Sequence, residues 1–178
     1  MSAPIALALS QVHRIGSLCD FLETPGLQIA ISVSVPVSMP QSEGSMGFDT
    51  PLWVGLGIVG LWSAIDAYAE RSGIPLVRCS ACRRKRCLSS RLASTGTVGA
   101  ADIVALQELE DLRHLFAHNF AGQADQPYFH TVPRHALVQG APSRLSSGAA
   151  FDGQAITLSA SHLKYYAEHA RGTLQAQQ

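Results

Sequence analysis

The residues best suited to chemistry lie in the segment 108–119, Glu-Leu-Glu-Asp-Leu-Arg-His-Leu-Phe-Ala-His-Asn. Within it, Arg113 and His118 are separated by four residues in a helical, largely apolar setting. Arginine carries a permanent cation on a planar donor fork that suits phosphate, and histidine titrates near neutral pH and can move protons. Together they indicate chemistry on a phosphodiester. Because short motifs also arise by chance, the surrounding elements must support this interpretation.

Composition limits the class of protein. The chain has 178 residues, of which 47% are hydrophobic and 15% are charged, and its formal net charge is zero. These values predict one domain over residues 1–178 with a substantial core, and they exclude a disordered chain or a uniformly basic nucleic-acid coat. The four cysteines are unevenly spaced, which favours a reducing, cytoplasmic environment over a disulfide-stabilised secreted domain.

Two apolar segments invite comparison with targeting or membrane sequences. Residues 4–9 have no basic residue before them and are soon followed by polar side chains, so we expect no signal peptide. Residues 52–65 form an apolar run of about 14 residues, short of the roughly 20 that a membrane span needs. We therefore expect a buried helix there and no membrane as a partner.

Hydrophobic periodicity predicts the elements that position Arg113 and His118. Apolar spacings of three and four, with capping and stop signals, place helices at 5–23, 52–72, 102–119 and from about 160 to 175. Glycines 55, 57 and 60 predict close packing of the second helix. The sequence therefore predicts a mainly α fold, a four-helix bundle in which the Arg/His pair lies on the third helix.

The predicted β content is small. Alternating polarity over 27–37 indicates a strand, and a region rich in Pro, Gly and Ser from 121 to 153 contains extended pieces at 128–131 and 136–139. Residues 155–158 indicate one more short strand. We expect these to be hairpin-like additions to the bundle.

In this context the chain resembles the HEPN superfamily, whose members are four-helix bundles with an arginine, four to six residues and then a histidine on a late helix. The match is Arg113-His-Leu-Phe-Ala-His118, with a polar residue after the arginine, as is typical of the family. Segments 107–112 and 61–70 are also similar. The resemblance covers roughly residues 52–175, which leaves 1–50 as an N-terminal helix with a strand-like and loop extension.

The resemblance implies a metal-independent endoribonuclease that needs no cofactor and cleaves RNA by attack of a ribose 2′-hydroxyl on its own phosphate. In that reaction His118 would move protons and Arg113 would stabilise phosphoryl charge. His114 would be an auxiliary polar group, with a surface histidine as the alternative. Asp66 and Glu70 would polarise the histidine or hold the arginine, unless they are only solvated.

The family also implies a homodimer. Five positions turn an ideal helix through about 500°, so Arg113 and His118 point about 140° apart, and a two-fold groove would bring both copies of the motif together. Such a nuclease would be toxin-like or defence-associated and held in check by a protein inhibitor or antitoxin. The alternative is a catalytically silent HEPN-type dimer that binds RNA, a nucleotide or a protein.

A basic, cysteine-bearing segment lies between the second and third predicted helices, and its pattern does not decide between helix and loop. Its cations could bind an RNA backbone: Arg78, Arg83, Arg84, Lys85, Arg86 and Arg91. The alternative is a loop whose arginines pair with carboxylates elsewhere. Cys79, Cys82 and Cys87 begin like a zinc site but lack a fourth ligand in this spacing, so we expect no metal; the alternative is a zinc site completed by Cys19 or a distant histidine. The histidines after residue 118 are expected to be structural.

Overall fold

Helices make up most of the chain that the structure describes. The structure is a computed structural model, and it describes residues 3–22, 50–80, 87–118, 143–151, 156 and 158–178. The described helices are α1 (Ala3–Leu22), α2 (Thr50–Arg71), α3 (Leu88–Ala93), α4 (Ala100–His118) and α5 (Ala160–Gln175). Strands β1 (Ser143–Arg144) and β2 (Ala150–Phe151) pair antiparallel. The prediction of a mainly α fold is confirmed.

The four long helices occupy the segments that periodicity and capping predict. Helix α2 begins at Thr50, followed by Pro51, whose fixed φ suits a first turn. Helix α5 begins after Ser159, whose backbone N–H donates to Nδ1 of His162 at 2.9 Å. This side chain at the third helical position satisfies a donor that the helix itself cannot. The predicted strand at 27–37 and the extended pieces at 128–131 and 136–139 lie outside the described residues.

The short elements differ from the prediction. Helix α3 occupies the end of the basic segment, where the pattern was undecided. The hairpin β1–β2 turns through Leu145 to Gly148, which has a φ of 90°, a conformation that favours glycine. In the predicted strand at 155–158, Ile156 forms one isolated bridge with Phe151. The hairpin therefore lies within the region that the sequence assigns to Pro-, Gly- and Ser-rich loop.

Helix α4 lies among the other elements and packs against α2, α3 and α5, while α1 packs against α2 and α5. The apolar stripe of α4 is buried and consists of Leu106, Leu109, Leu112 and Leu115. The glycines of α2 allow its backbone to lie close to the neighbouring helices, as predicted. A Cβ on Gly55 would lie 2.6 Å from Cδ1 of Phe116 on α4, and one on Gly57 would overlap Leu163 on α5.

A membrane-spanning helix must be both long and apolar. Among the residues that the structure describes, no helix is both long enough and apolar enough to cross a bilayer. The apolar first half of α2 instead contributes Val54, Ile58 and Leu61 to the core. The expectation that this run is a buried helix is confirmed.

Candidate functional site

Arg113 projects from α4 onto the face of an aromatic ring. Its Cζ lies 4.4 Å from the ring centroid of Trp62 on α2, within the range of a cation–π contact. The arginine is half-buried, and its Nε is enclosed without a hydrogen-bond partner. Within the described part of the chain, no carboxylate or carbonyl accepts from this guanidinium. The guanidinium is thus held by an aromatic face and not by an ion pair within the described residues.

Arg91 provides a contrast on α3. It is 3% exposed, and its Nη2 donates to the Ile74 carbonyl at 2.8 Å. Its Nη1 lies 3.3 Å from Asp66 Oδ1 and 3.4 Å from Glu70 Oε1. The prediction that Arg91 contacts RNA is contradicted by this burial, and the alternative of pairing with carboxylates elsewhere is what the structure shows. Asp66 and Glu70 on α2 form ion pairs with Arg91 that hold α3 against α2. This role was not predicted for either residue.

The structure describes the side chain of the motif histidine His114 but only the backbone of His118. His114 is 8% exposed, so the alternative of a surface histidine is wrong. His118 is the last residue of α4, and its side chain lies outside the described residues. The helix therefore brings the backbone of His118 within about 7.5 Å of Arg113 along the axis, given the usual rise per residue. The positions share one helix end, as the sequence predicts.

The basic segment is described only in part. Arg78 is exposed, whereas Arg83, Arg84, Lys85, Arg86 and Cys82 lie outside the described residues. Cys79 and Cys87 are buried against each other. The Cys87 thiol donates to Oε2 of Glu110 at 3.1 Å. Across the described ranges, no three His, Cys, Asp or Glu side chains gather as a metal ion would require.

Sequence reasoning missed the partners of the acidic residues on α4. Glu108 is 4% exposed, and its carboxylate accepts from the Ser146 backbone N–H at 2.7 Å and from the Tyr166 hydroxyl at 3.0 Å. Burial raises the pKa of Tyr166 far above its ordinary value, and the Glu108 charge raises it further. Near the start of α4, Asp102 Oδ1 lies 2.6 Å from Nδ1 of His169. The expected structural role of His169 fits this contact.

The signal for these contacts is weak in the sequence. Glu108 occupies the helical position between buried apolar neighbours, which hints at a buried carboxylate but names no partner. Trp62 lies in the second predicted helix without any local feature that would link it to Arg113. Such pairings depend on how helices meet in space, and the spacing along one helix does not encode them.

The chain was compared with protein-family models, curated proteins and solved structures, and no match was found. The resemblance to the HEPN superfamily therefore rests on the Arg113 to His118 motif and its helical setting. To this motif the structure adds one contact, the half-buried guanidinium of Arg113 on the face of Trp62.

Proposed function

We propose that the protein is a metal-independent endoribonuclease with a HEPN-like four-helix bundle, acting as a homodimer. The observation that carries the proposal is the state of Arg113, a half-buried guanidinium held by an aromatic face. Within the described residues its hydrogen-bonding capacity is unused, whereas that of Arg91 is directed to three protein acceptors. An arginine kept in this state favours a role in binding a ligand oxygen over a role in holding the fold.

Each candidate site residue has a distinct role in the proposed cleavage of RNA. A base removes the proton from the ribose 2′-oxygen, which attacks the adjacent phosphorus and forms a 2′,3′-cyclic phosphate. The bond from phosphorus to the 5′-oxygen breaks, and an acid protonates that oxygen, so the second product carries a 5′-hydroxyl. His118 is the proton-transfer group, and His114 is auxiliary. Arg113 stabilises the charge on the non-bridging oxygens, where its fork can hold two oxygens at once.

The exposed cation Arg78, together with Arg83, Arg84, Lys85 and Arg86, would supply the backbone affinity of the enzyme. Such contacts are independent of sequence and weaken as salt is added, because each neutralised phosphate releases a counterion. Arg91 is not part of this set, since its guanidinium is directed to Asp66, Glu70 and a carbonyl.

Cleavage of end-labelled RNA in excess chelator tests the proposal. We expect the wild-type protein to yield cyclic phosphate and 5′-hydroxyl ends. Arg113→Ala should lower the rate by roughly 100- to 1,000-fold, as when one charge-stabilising donor is removed. His118→Ala should lower it by about 100- to 10,000-fold through loss of proton transfer. Arg171→Ala, which removes an exposed arginine from α5, is the matched control and should cleave normally.

Three outcomes would count against the enzyme. Equal cleavage by the wild type, Arg113→Ala and His118→Ala would identify a contaminating nuclease. Cleavage that disappears with the chelator would reject the metal-independent mechanism. RNA binding that depends on Arg113 without cleavage by any variant would favour the alternative, a catalytically silent HEPN-type dimer that binds RNA or nucleotides.

A further inference from the structure

The Trp62 indole is the surface on which the guanidinium of Arg113 rests. The two residues come from different helices, α2 and α4, and the Cζ to centroid distance is 4.4 Å. The indole Nε1 is buried without a hydrogen-bond partner. Trp62 therefore contributes its aromatic face to this contact, while its N–H is not used by the described part of the protein.

The contact leaves Arg113 partly exposed, and no described residue accepts a hydrogen bond from its guanidinium. Its Nε is buried without a hydrogen-bond partner. A guanidinium whose Nη groups are not directed to protein acceptors can bind two oxygens of a phosphoryl group. The aromatic face limits the rotamers of a long side chain, so less conformational freedom remains to be lost when the ligand binds.

We infer that Trp62 is a positioning residue for Arg113: its ring fixes the guanidinium plane so that the two Nη groups face a phosphoryl group. The inference rests on the proposed function for the ligand class, a phosphodiester or phosphate. It adds a residue that the motif does not contain. Trp62 touches neither substrate nor reacting atoms in this role and acts through Arg113.

Phosphate binding measured without RNA tests the inference directly. Inorganic phosphate is titrated by calorimetry into the full chain and its variants. Trp62→Leu removes the aromatic face and should weaken binding about 3- to 30-fold, the range expected from a partly buried cation–π contact. Trp62→Phe keeps one aromatic ring but loses the fused five-membered ring with its unpaired N–H, so its affinity should lie between those of the wild type and Trp62→Leu.

The chain offers a matched control, because its second tryptophan, Trp53, lies on the same helix and is also half-buried. Trp53→Leu should bind phosphate like the wild type. In addition, Trp53→Phe leaves Trp62 as the one tryptophan, whose emission then reports on the guanidinium above it. Phosphate should change this emission in a saturable way, and the additional replacement Arg113→Ala should abolish the change.

Several results would overturn the positioning role. These are wild-type phosphate affinity in Trp62→Leu, equal losses in Trp62→Leu and Trp53→Leu, or Trp62 emission that responds identically with and without Arg113. The emission test keeps the inference falsifiable if Trp62→Leu does not fold. Failure of the proposed function looks different: phosphate binding depends on Trp62, but no RNA is cleaved. Cleavage with unchanged KM and kcat in Trp62→Leu would reject the inference alone.

Discussion

Two arginines of the same chemical type have opposite surroundings in this protein. Arg91 directs its guanidinium to Asp66, Glu70 and the Ile74 carbonyl. Arg113 lies on an aromatic face and, within the described residues, makes no ion pair. The first stabilises the attachment of α3 to α2, and the second is the one to which we assign ligand binding in the proposed function. A residue type and a local charge density therefore do not determine a role.

The motif Arg113 to His118 could be found from sequence because its spacing lies within one helix. The role of Arg91 could not, because its acceptors are 17 to 25 positions away along the chain. Four cations lie five to eight positions before it in the sequence, which favoured a nucleic-acid interpretation. Trp62 was missed for a related reason, since a contact between helices depends on their packing. The sequence thus predicts the candidate site residues but not the aromatic ring on which Arg113 lies.

The raised pKa of Tyr166 predicts a loss of stability at alkaline pH. Burial raises its pKa in the folded state, whereas an unfolded tyrosine titrates at about 10. Above that pH the unfolded chain loses the phenolic proton and the folded chain keeps it. The titration of this group should therefore add no pH dependence to the free energy of unfolding below pH 10, and should lower that free energy by up to about 1.4 kcal/mol per pH unit above it. Tyr166→Phe should lack this component.

Urea unfolding at a series of alkaline pH values measures the effect. At neutral pH, Tyr166→Phe should cost about 1 kcal/mol, because Glu108 loses a hydrogen-bond donor. Tyr165→Phe is the control, since it retains the Tyr166 phenol and therefore the steeper alkaline decline. Parallel pH dependences in the wild type and Tyr166→Phe would contradict the assignment.

Among the elements, the long helices are predictable because their signals are local. Apolar spacing, Pro51 and the Ser159 cap together place α2 and α5. The short elements depend on distant partners. The Leu88 backbone N–H at the start of α3 donates to Glu110 of α4, and the β1–β2 turn is held by Glu108. No local pattern contains those contacts, so neither α3 nor the hairpin could be placed from sequence.

Two glycine substitutions should have opposite effects on helix stability. Gly57→Ala adds a Cβ that overlaps Leu163, so it should lower the free energy of unfolding by about 1–3 kcal/mol despite the better helix propensity of alanine. Gly16→Ala, inside α1, meets no atom within 4 Å and should raise it by roughly 0.5–1 kcal/mol. Urea titration followed by far-UV circular dichroism separates the two. Similar changes in both variants would show that α2 does not depend on this close contact.

For the whole molecule, the proposed dimer makes a prediction about shared sites. If Arg113 of one protomer acts with His118 of its partner, a dimer of Arg113→Ala and His118→Ala chains has one intact site. Co-expression with two affinity tags isolates this mixed dimer. We expect about half of the wild-type activity, since an isologous pair has two equivalent sites. A mixed dimer as inactive as its parents would place each site within a single chain.

Light scattering provides the independent check on assembly. A mass of twice one chain at micromolar concentration is expected, and it should be unchanged in Arg113→Ala, which alters the site. A monomer would remove the two-fold groove from the proposal, because the helical positions of Arg113 and His118 point about 140° apart. One chain would then have to supply both groups by itself.

The polar contacts of α4 have a mechanical consequence. Asp102 joins it to α5, Glu108 joins it to the hairpin, and Glu110 joins it to α3. Rotation of α4 by one residue would turn every side chain through about 100° and break all three contacts together. The helix is thereby fixed against rolling about its own axis. The direction in which Arg113 points is set in part by residues up to 11 positions earlier on the same helix. A substitution at Asp102 should therefore change the orientation of Arg113.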